Sequence, residues 1–493
     1  MSRKPEDLVA TRRQIRQVMG GAEKIDALHA TGRRTARDFI ADFVDSDSFV
    51  ELGTFAGMRE GMPTTVAGDG RITGQAKLDG CPVGVIVDDV TVKRASSTAL
   101  NARKAERVVG LAGRRAGMPV LYVGEAGGAR LPETLRGEVF ASEPVYPWLF
   151  DEDRPPLVTA IVGESYGGSS FVATMSDITV MLEGAVIALT SPRVINMATG
   201  ASVSAEELGG AKVVASRTDL VDIVASDTNE LDDVLRRALG FFTRPVVDGA
   251  ARPKGEIREL VPVEESKPYD VHGVIDAILD VDSFLELGAL RGRSIVTGLG
   301  RIDGRVVGIV ASQPLREAGA MSPEACSKAE RLTKLCDRFG FPMVSLVDTP
   351  GFQVGVKVEH GGMMRRAMDL VKTNTAARCP VVTLVLRKAF GLSFFAMFSP
   401  DHGGDVVLAW PGAQIGFMAP STAASVLYGD ELAELPAQEQ KRRLTERAEA
   451  LGASASALDV AAAMGIDEIV DERDTVATIR RYLEILAPKG AAS

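Results

Sequence analysis

The sequence predicts an α/β protein made of two tandem homologous domains, and three observations carry that prediction. The first is self-similarity: "ITGQAKLDGCPVGVIVDD" (72–89) lies over "VTGLGRIDGRVVGIVASQ" (296–313), an offset of 224 residues, as between Ile72 and Val296. The second is a pair of runs nearly continuous in Val, Ile and Leu, "LVTAIVG" and "VVTLVLR", which suit strands covered on both faces. The third is that each run leads into a glycine turn, "ESYGGSS" (164–170) or "KAFGLS" (388–393), where sheets of this class place their sites.

Other blocks keep the same order. "KAERVVGLAGRRAGMPVLYVGEAGG" from Lys104 matches "KAERLTKLCDRFGFPMVSLVDTPG" from Lys328, and "DSDSFVELG" (45–53) matches "DVDSFLELG" (280–288). The halves are read as 1–250 and 251–493, joined by a polar, proline-containing stretch near 240–265. Two copies make a duplication and not a solenoid. Each half is expected to start with a hairpin, turning at Asp79-Gly80 or Asp303-Gly304, and to continue with a helix beginning near Lys104 or Lys328. A buried strand, "PVLYVGE" or "PMVSLVD", and a glycine turn come next, and then a second helix, strand and turn.

Bulk properties narrow the function. A net charge of -10 repels a phosphate backbone, so no nucleic-acid partner is expected. Cys81, Cys326, Cys336 and Cys379 have no paired short spacing and predict no metal site, with Cys81 and Cys379 read as buried strand residues. The opening "MSRKPEDLVATRRQIRQVMGG" is a charged helical segment without an apolar stretch, which predicts a cytoplasmic protein with no membrane anchor. No phosphate loop, dinucleotide fingerprint or Gly-x-Ser-x-Gly elbow occurs. Of the histidines 29, 272, 360 and 402, His402 beside Asp401 is the one to test, with capping or packing its foremost reading.

Four glycine turns remain: "EAGGARLPE" (125–133), "ESYGGSS", "DTPGFQVG" (348–355) and "KAFGLS". Glycines after a strand free backbone N–H groups to face a cavity, and such donors stabilise an oxyanion by about 3–4 kcal/mol in favourable cases. Glu125 and Glu164 precede two of these turns. Partial burial would raise either carboxyl and suit it to proton transfer; the plainer reading is a pair of solvated strand-end acids.

At these motifs, together with "LHATGRRTARDFIADFVDSDSFVELG", "GDGRITG", "GGARLPE", "EELGGAK" and "LAWPGAQIGFMAP", the chain resembles the carboxyltransferase (beta) subunit of biotin-dependent acyl-CoA carboxylases, of the propionyl-CoA and acetyl-CoA type. The resemblance implies two tandem crotonase-like (ClpP/crotonase) domains, the first facing the acyl-CoA and the second facing carboxybiotin. It also implies a homodimer or homohexamer with active sites at the dimer interface, and a separate biotin carboxylase and biotin carrier, since no Ala-Met-Lys-Met stretch is present. Carboxyl transfer to the acyl α-carbon then needs little from the protein beyond two oxyanion holes, because the cofactor supplies the base. Gly167 and Gly168 match the family's first donor pair, and Leu392 and Ser393 match its second. Gly127, Gly128, Ala129, Gly351, Gly391 and Phe395 fall at its substrate-facing positions, and Arg33, Arg34, Lys93 and Arg94 are candidates for the coenzyme A phosphates.

This chain departs from the family pattern where substrates are handled. "GEAGGAR" stands for "DSGGAR", "GESYGGS" for "GPCAGGA" and "FGLSF" for "YGGAY". Leu392 in place of glycine is expected to crowd a biotin ring or demand a different turn. Two other readings stay open: a biotin-independent decarboxylase, hydrolase or isomerase of CoA thioesters using Glu125 or Glu164, and a non-catalytic assembly subunit.

Overall fold

Two hairpins with the same turn begin the two sheets. β1 (Val50–Leu52), β2 (Arg71–Leu78) and β3 (Cys81–Asp88) run antiparallel, and Asp79 and Gly80 reverse the chain with φ of 49° and 80°. Positive φ at both central residues is what a two-residue hairpin needs, and Asp-Gly is among the dipeptides that supply it. Parallel strands β4 (Val120–Gly127), β5 (Leu157–Tyr166), β6 (Ile178–Leu182) and β8 (Ile223–Ala225) extend the sheet, and short β7 (Val186–Ala188) pairs with the far end of β5. A computed structural model supplies this description for residues 5–58, 66, 68–115, 118–137, 146–247, 257–264, 266–452 and 455–486.

The second sheet repeats the plan. β9 (Leu285–Leu287), β10 (Ile295–Ile302) and β11 (Arg305–Ser312) are antiparallel, with Asp303 and Gly304 turning at 49° and 78°. β12 (Met343–Thr349), β13 (Val381–Phe390), β14 (Val406–Ala409) and β16 (Glu468–Ile469) follow in parallel, and β15 (Gln414–Gly416) pairs with the end of β13. The chain divides into Met1–Pro245 and Val246–Ser493.

The helices that position the sites are α1 (Ala36–Phe43), α2 (Ala99–Ala112), α3 (Gly168–Thr174) and α4 (Thr228–Thr243) in the first unit. In the second they are α5 (Val271–Ile278), α6 (Pro323–Phe339), α7 (Met363–Ala376) and α8 (Leu392–Ala396). α2 and α6 begin five residues before the predicted lysines, because the caps lie upstream. Thr98 accepts the Asn101 amide in a reciprocal capping box, and Ser322 caps α6 with Pro323 in its first turn. The lysines themselves turn inward, both more than nine-tenths buried. Cys379 is buried just before β13, whereas Cys81 opens β3 only half-buried, beside the hairpin turn. The second helix expected in each half is α7 in the second unit; its counterpart in the first would include 138–145, outside the described residues.

Each unit closes over its own core. Ile86, Tyr122 and Leu157 of the first sheet pack against Val108 of α2 and Val172 of α3. In the second unit Val344, Leu346, Val382 and Leu384 pack against Ile275 and Ile278 of α5. Strands so covered on both faces leave the ends of the sheet as the exposed edge where loops can bind.

Candidate active site

At the end of β5 the chain turns at Gly167, with φ 69° and ψ -119°, and enters α3 at Gly168. Only glycine takes that conformation without strain, and the first amides of the new helix, Gly168 and Ser169, have no carbonyl four residues back to bond. Gly168 is glycine for a different reason. A Cβ there would stand 2.7 Å from the Tyr146 Oη and 2.9 Å from the Ser97 Oγ.

The neighbouring turn closes against this one. Gly128 has φ 90°, its carbonyl accepts the Ser97 amide at 2.8 Å, and Ala129 bridges to Ser97. Gly127 lies against Arg94, and a Cβ on Gly167 would reach the Gly128 Cα at 3.8 Å. Lys93, Arg94 and Ala95 form a left-handed turn at φ 51°, 54° and 48°. Lys93, Arg94, Gly127, Gly128, Ala129, Glu164, Gly167 and Gly168 therefore gather at one end of the sheet. Glu164 opens the β5–β7 pairing two residues before β5 ends, half-exposed and 3.3 Å from an exposed Arg94. The burial expected of Glu164 is absent because its side chain leaves the sheet toward water.

Glu125, Arg33 and Arg34 sit elsewhere. Gly124 faces Ser169 of α3, so Glu125, one residue on, faces the other side of the sheet. There it pairs with Arg33 and closes over Gly163 in a cavity of about 270 Å³ that Arg34, Phe39, Val123 and Leu231 also line. Burial pushes the Glu125 carboxyl above its ordinary range, against the pull of the Arg33 guanidinium. Arg34 is held by Asp232 of α4 through two bonds of 2.7 and 2.8 Å, with its guanidinium over the Phe39 ring.

The second turn keeps the geometry of the first. Gly391 carries φ 65° and ψ -151°, and Leu392 is simply the first residue of α8, without a positive φ. The different turn expected of Leu392 is not found, since the glycine requirement falls one residue earlier. The Gly391 amide is already donated to the Gly416 carbonyl at 2.8 Å, which leaves Leu392 and Ser393 as the opening amides of α8. Gly351, at φ 134°, accepts the Met321 amide as Gly128 accepts that of Ser97. Phe395 is 40% exposed and stacks on His402, with ring centroids 4.7 Å apart; His402 Nδ1 is 2.8 Å from Ser399 Oγ. That is the packing role foreseen for His402.

Sequence reasoning passed over the charged residues beneath these turns. Arg71 is fully buried, with Nε 2.8 Å from Asp88 Oδ1, and the Tyr122 hydroxyl donates to the same carboxylate at 2.6 Å. Counting outward from the Asp79-Gly80 turn pairs Arg71 with Asp88 across the hairpin, so the pair was available from register alone. In the second unit Asp348 is fully buried, with Arg387 Nε at 2.7 Å and Lys388 Nζ at 3.7 Å.

Over residues 27–492 the sequence matches the carboxyl transferase domain family. The chain belongs to that family. It is 33% identical to the methylmalonyl-CoA carboxyltransferase 12S subunit of Propionibacterium freudenreichii subsp. shermanii, covering 98% of this chain and 94% of that one. It is 34% identical to the propionyl-CoA carboxylase carboxyltransferase subunit of Haloferax mediterranei, over 95% and 93% of the two chains. The structure matches that of transcarboxylase 12S, solved as a hexamer with methylmalonyl-coenzyme A and methylmalonic acid bound, with TM-score 0.89 and 31% identity over 100% and 97% of the chains. A single-chain, multi-domain long-chain acyl-CoA carboxylase matches with TM-score 0.86 and 29% identity, over 98% of this chain and 49% of that one. The two halves are thus tandem crotonase-like domains, and the chain is an enzyme of the acyl-CoA carboxyltransferase class. Among the described residues no cluster of three or more His, Cys, Asp or Glu could hold a metal, and no helix is long and apolar enough to cross a membrane.

Proposed function

We propose that this chain is the carboxyltransferase subunit of a biotin-dependent acyl-CoA carboxylase, acting on a CoA thioester in its first domain. The observation that carries the reading is the repeated strand-end turn. Gly167 and Gly391 hold the same glycine-only backbone, and each opens a helix whose leading amides are unpaired within it. At the Gly167-Gly168 turn the Gly168 and Ser169 amides receive the thioester oxygen, and at the second turn Leu392 and Ser393 receive the carbonyl oxygen of the second substrate. Carboxybiotin, when bound, supplies the carboxyl group and the base for the α-proton.

The chain's own residues then bind, orient and stabilise. Gly168 and Ser169 amides favour the enolate over the thioester, because negative charge on that oxygen develops only during reaction. Lys93 and Arg94 meet the coenzyme A phosphates. Arg94 is 72% exposed beside the first turn, and Lys93 is exposed next to it, whereas Arg33 and Arg34 are committed to Glu125 and Asp232. Glu125, held by Arg33, and Glu164, half-exposed in a loose surface pair that leaves Arg94 available, are left out of the proton transfer. Each active site is completed by the second domain of a neighbouring copy, in a dimer or hexamer, and biotin arrives on a separate carrier protein.

The test uses the purified chain with methylmalonyl-CoA, malonyl-CoA and other thioesters, following CO2 and free thiol, with and without a biotin carrier. Carboxyl transfer that requires biotin is the expected result. Turnover without biotin would overturn this reading in favour of a biotin-independent thioester enzyme.

A further inference from the structure

Two hydroxyls around the first turn, Ser97 Oγ and Ser169 Oγ, are buried without a hydrogen bond among the described residues. A third, that of the largely buried Tyr146, reaches the same turn. A buried hydroxyl left unpaired costs about 1–3 kcal/mol, so such groups are rare unless something else binds them. Tyr122, in the same core, shows the ordinary solution: its hydroxyl donates to Asp88 at 2.6 Å and lies 3.2 Å from Arg71 Nη2.

Tyr146 is held firmly where it stands. Its backbone is left-handed, with φ 40°, at the start of the short helix Pro147–Phe150. Its ring packs into the core with Ile86, Tyr122 and Val172, edge-on to Trp148 at 6.2 Å. Its hydroxyl ends over Gly168, where a Cβ would meet it at 2.7 Å with Ser97 Oγ at 2.9 Å. Among the described residues the second turn shows no such set. By the 224-residue offset, Leu392 takes the place of Gly168 and Met321, fully buried, takes that of Ser97.

We propose that Tyr146 is a catalytic residue of the acyl-CoA site, its hydroxyl donating a hydrogen bond to the thioester oxygen at the first turn, with Ser97 as a second hydroxyl donor. The inference rests on the reading of that turn as an oxyanion site. No covalent bond forms or breaks at either hydroxyl: each only donates a hydrogen bond to the enolate oxygen. Glycine at 168 is then what lets the two hydroxyls approach the oxyanion beside the backbone amide.

The test compares the full-length chain with Tyr146→Phe and Ser97→Ala. Binding is measured for coenzyme A and for its S-nitroethyl thioether, whose nitronate mimics the enolate, alongside steady-state carboxyl transfer. Tyr146→Phe keeps the ring packing, so its Kd for coenzyme A should stay within about twofold while nitronate affinity and kcat fall about 100-fold at little-changed KM. Ser97→Ala should give a smaller loss of the same selective kind. A purely structural tyrosine would shift both ligands alike or neither, and that result overturns the proposal. If the unaltered chain itself binds the nitronate no better than coenzyme A, the oxyanion reading fails and takes this inference with it; a loss confined to Tyr146→Phe tests the tyrosine alone.

Discussion

The first turn is walled by hydroxyls and the second by hydrocarbon, although the backbone beneath them is the same. Tyr146 and Ser97 crowd Gly168, and in the second domain Leu392 stands in the place of Gly168 and Met321 in that of Ser97. The acids behind the turns differ in a parallel way. Glu125 and Asp348 are matched strand residues, yet Asp348 takes its arginine from the adjacent strand, as Arg387, while Glu125 takes Arg33 from the segment before α1. Residue 163, which corresponds to Arg387, is glycine, and any side chain there would strike both Glu125 and Arg33. The comparison teaches that duplication preserved the backbone device and left the walls free to diverge, which is how one fold can serve two carbonyls.

The largest break in that comparison comes from the arginines. Arg387→Ala leaves Asp348 fully buried without its arginine, with Lys388 Nζ at 3.7 Å, and the Arg387 Nη1 bonds to the Pro262, Glu264 and Lys267 carbonyls are lost as well. Loss of one partner of a buried pair costs about 3–5 kcal/mol, to be read as the shift in denaturant midpoint at constant slope. Arg33→Ala should cost far less, about 1 kcal/mol, since Arg33 is 39% exposed and Glu125, already raised, can take a proton instead.

Exchanging the turns comes next. Gly168→Leu drives a side chain into Tyr146 and Ser97, so kcat should fall about 100-fold and stability by about 1–3 kcal/mol. Leu392→Gly keeps the amide and should change kcat only severalfold. Equal losses in the two exchanges would show that the walls are not what distinguishes the domains.

The smallest effect lies at a matched ion pair and reads out in pH. Arg37 on Glu51 corresponds to His272 on Glu286, where the imidazole Nε2 is 2.9 Å from the carboxylate. Hydrogen bonding to Glu286, then to Asp270, raises His272 from 6.5 to about 9. Between those values the folded chain holds a proton that the unfolded chain has lost, so this stabilisation is full below pH 6.5 and declines as pH rises toward 9. Lys328, which burial lowers to about 8, contributes with the opposite sign above that pH, leaving pH 6.5 to 8 as the clean window. His272→Arg should flatten the fall in thermal midpoint across it.

Much of the fold was legible because it rests on local chemistry. The Asp-Gly hairpins, the apolar strands and the duplication each follow from short stretches of sequence, and all appear at the places predicted. Helix starts were missed by five residues because capping by Thr98 and Ser322 outweighed the apolar pattern. The candidate site was less legible. Glu125 opens the 125–133 glycine turn in sequence, but strand alternation sends its side chain to the opposite face. Arg33, Arg34 and Tyr146 find their partners or places only through tertiary packing, with sequence separations such as Arg34 to Asp232 that no motif announces. Of the two consequences expected of Leu392, the different turn is absent because the glycine requirement falls at 391.

The left-handed turns before Ser97 and Met321 give the molecule an internal clock. Lys93-Arg94-Ala95 and Glu317-Ala318-Gly319 each hold three successive residues at positive φ, and only one of the six is glycine. For the others that conformation costs about 1–2 kcal/mol each, so two independent inventions of the same turn are improbable. The turn was therefore present in the single-domain ancestor, along with the hairpins and the buried lysines. Whatever differs between the copies, including the tyrosine over Gly168 and the two routes to an arginine, marks change since the ancestral gene doubled, and each half serves as the outgroup for reading the other.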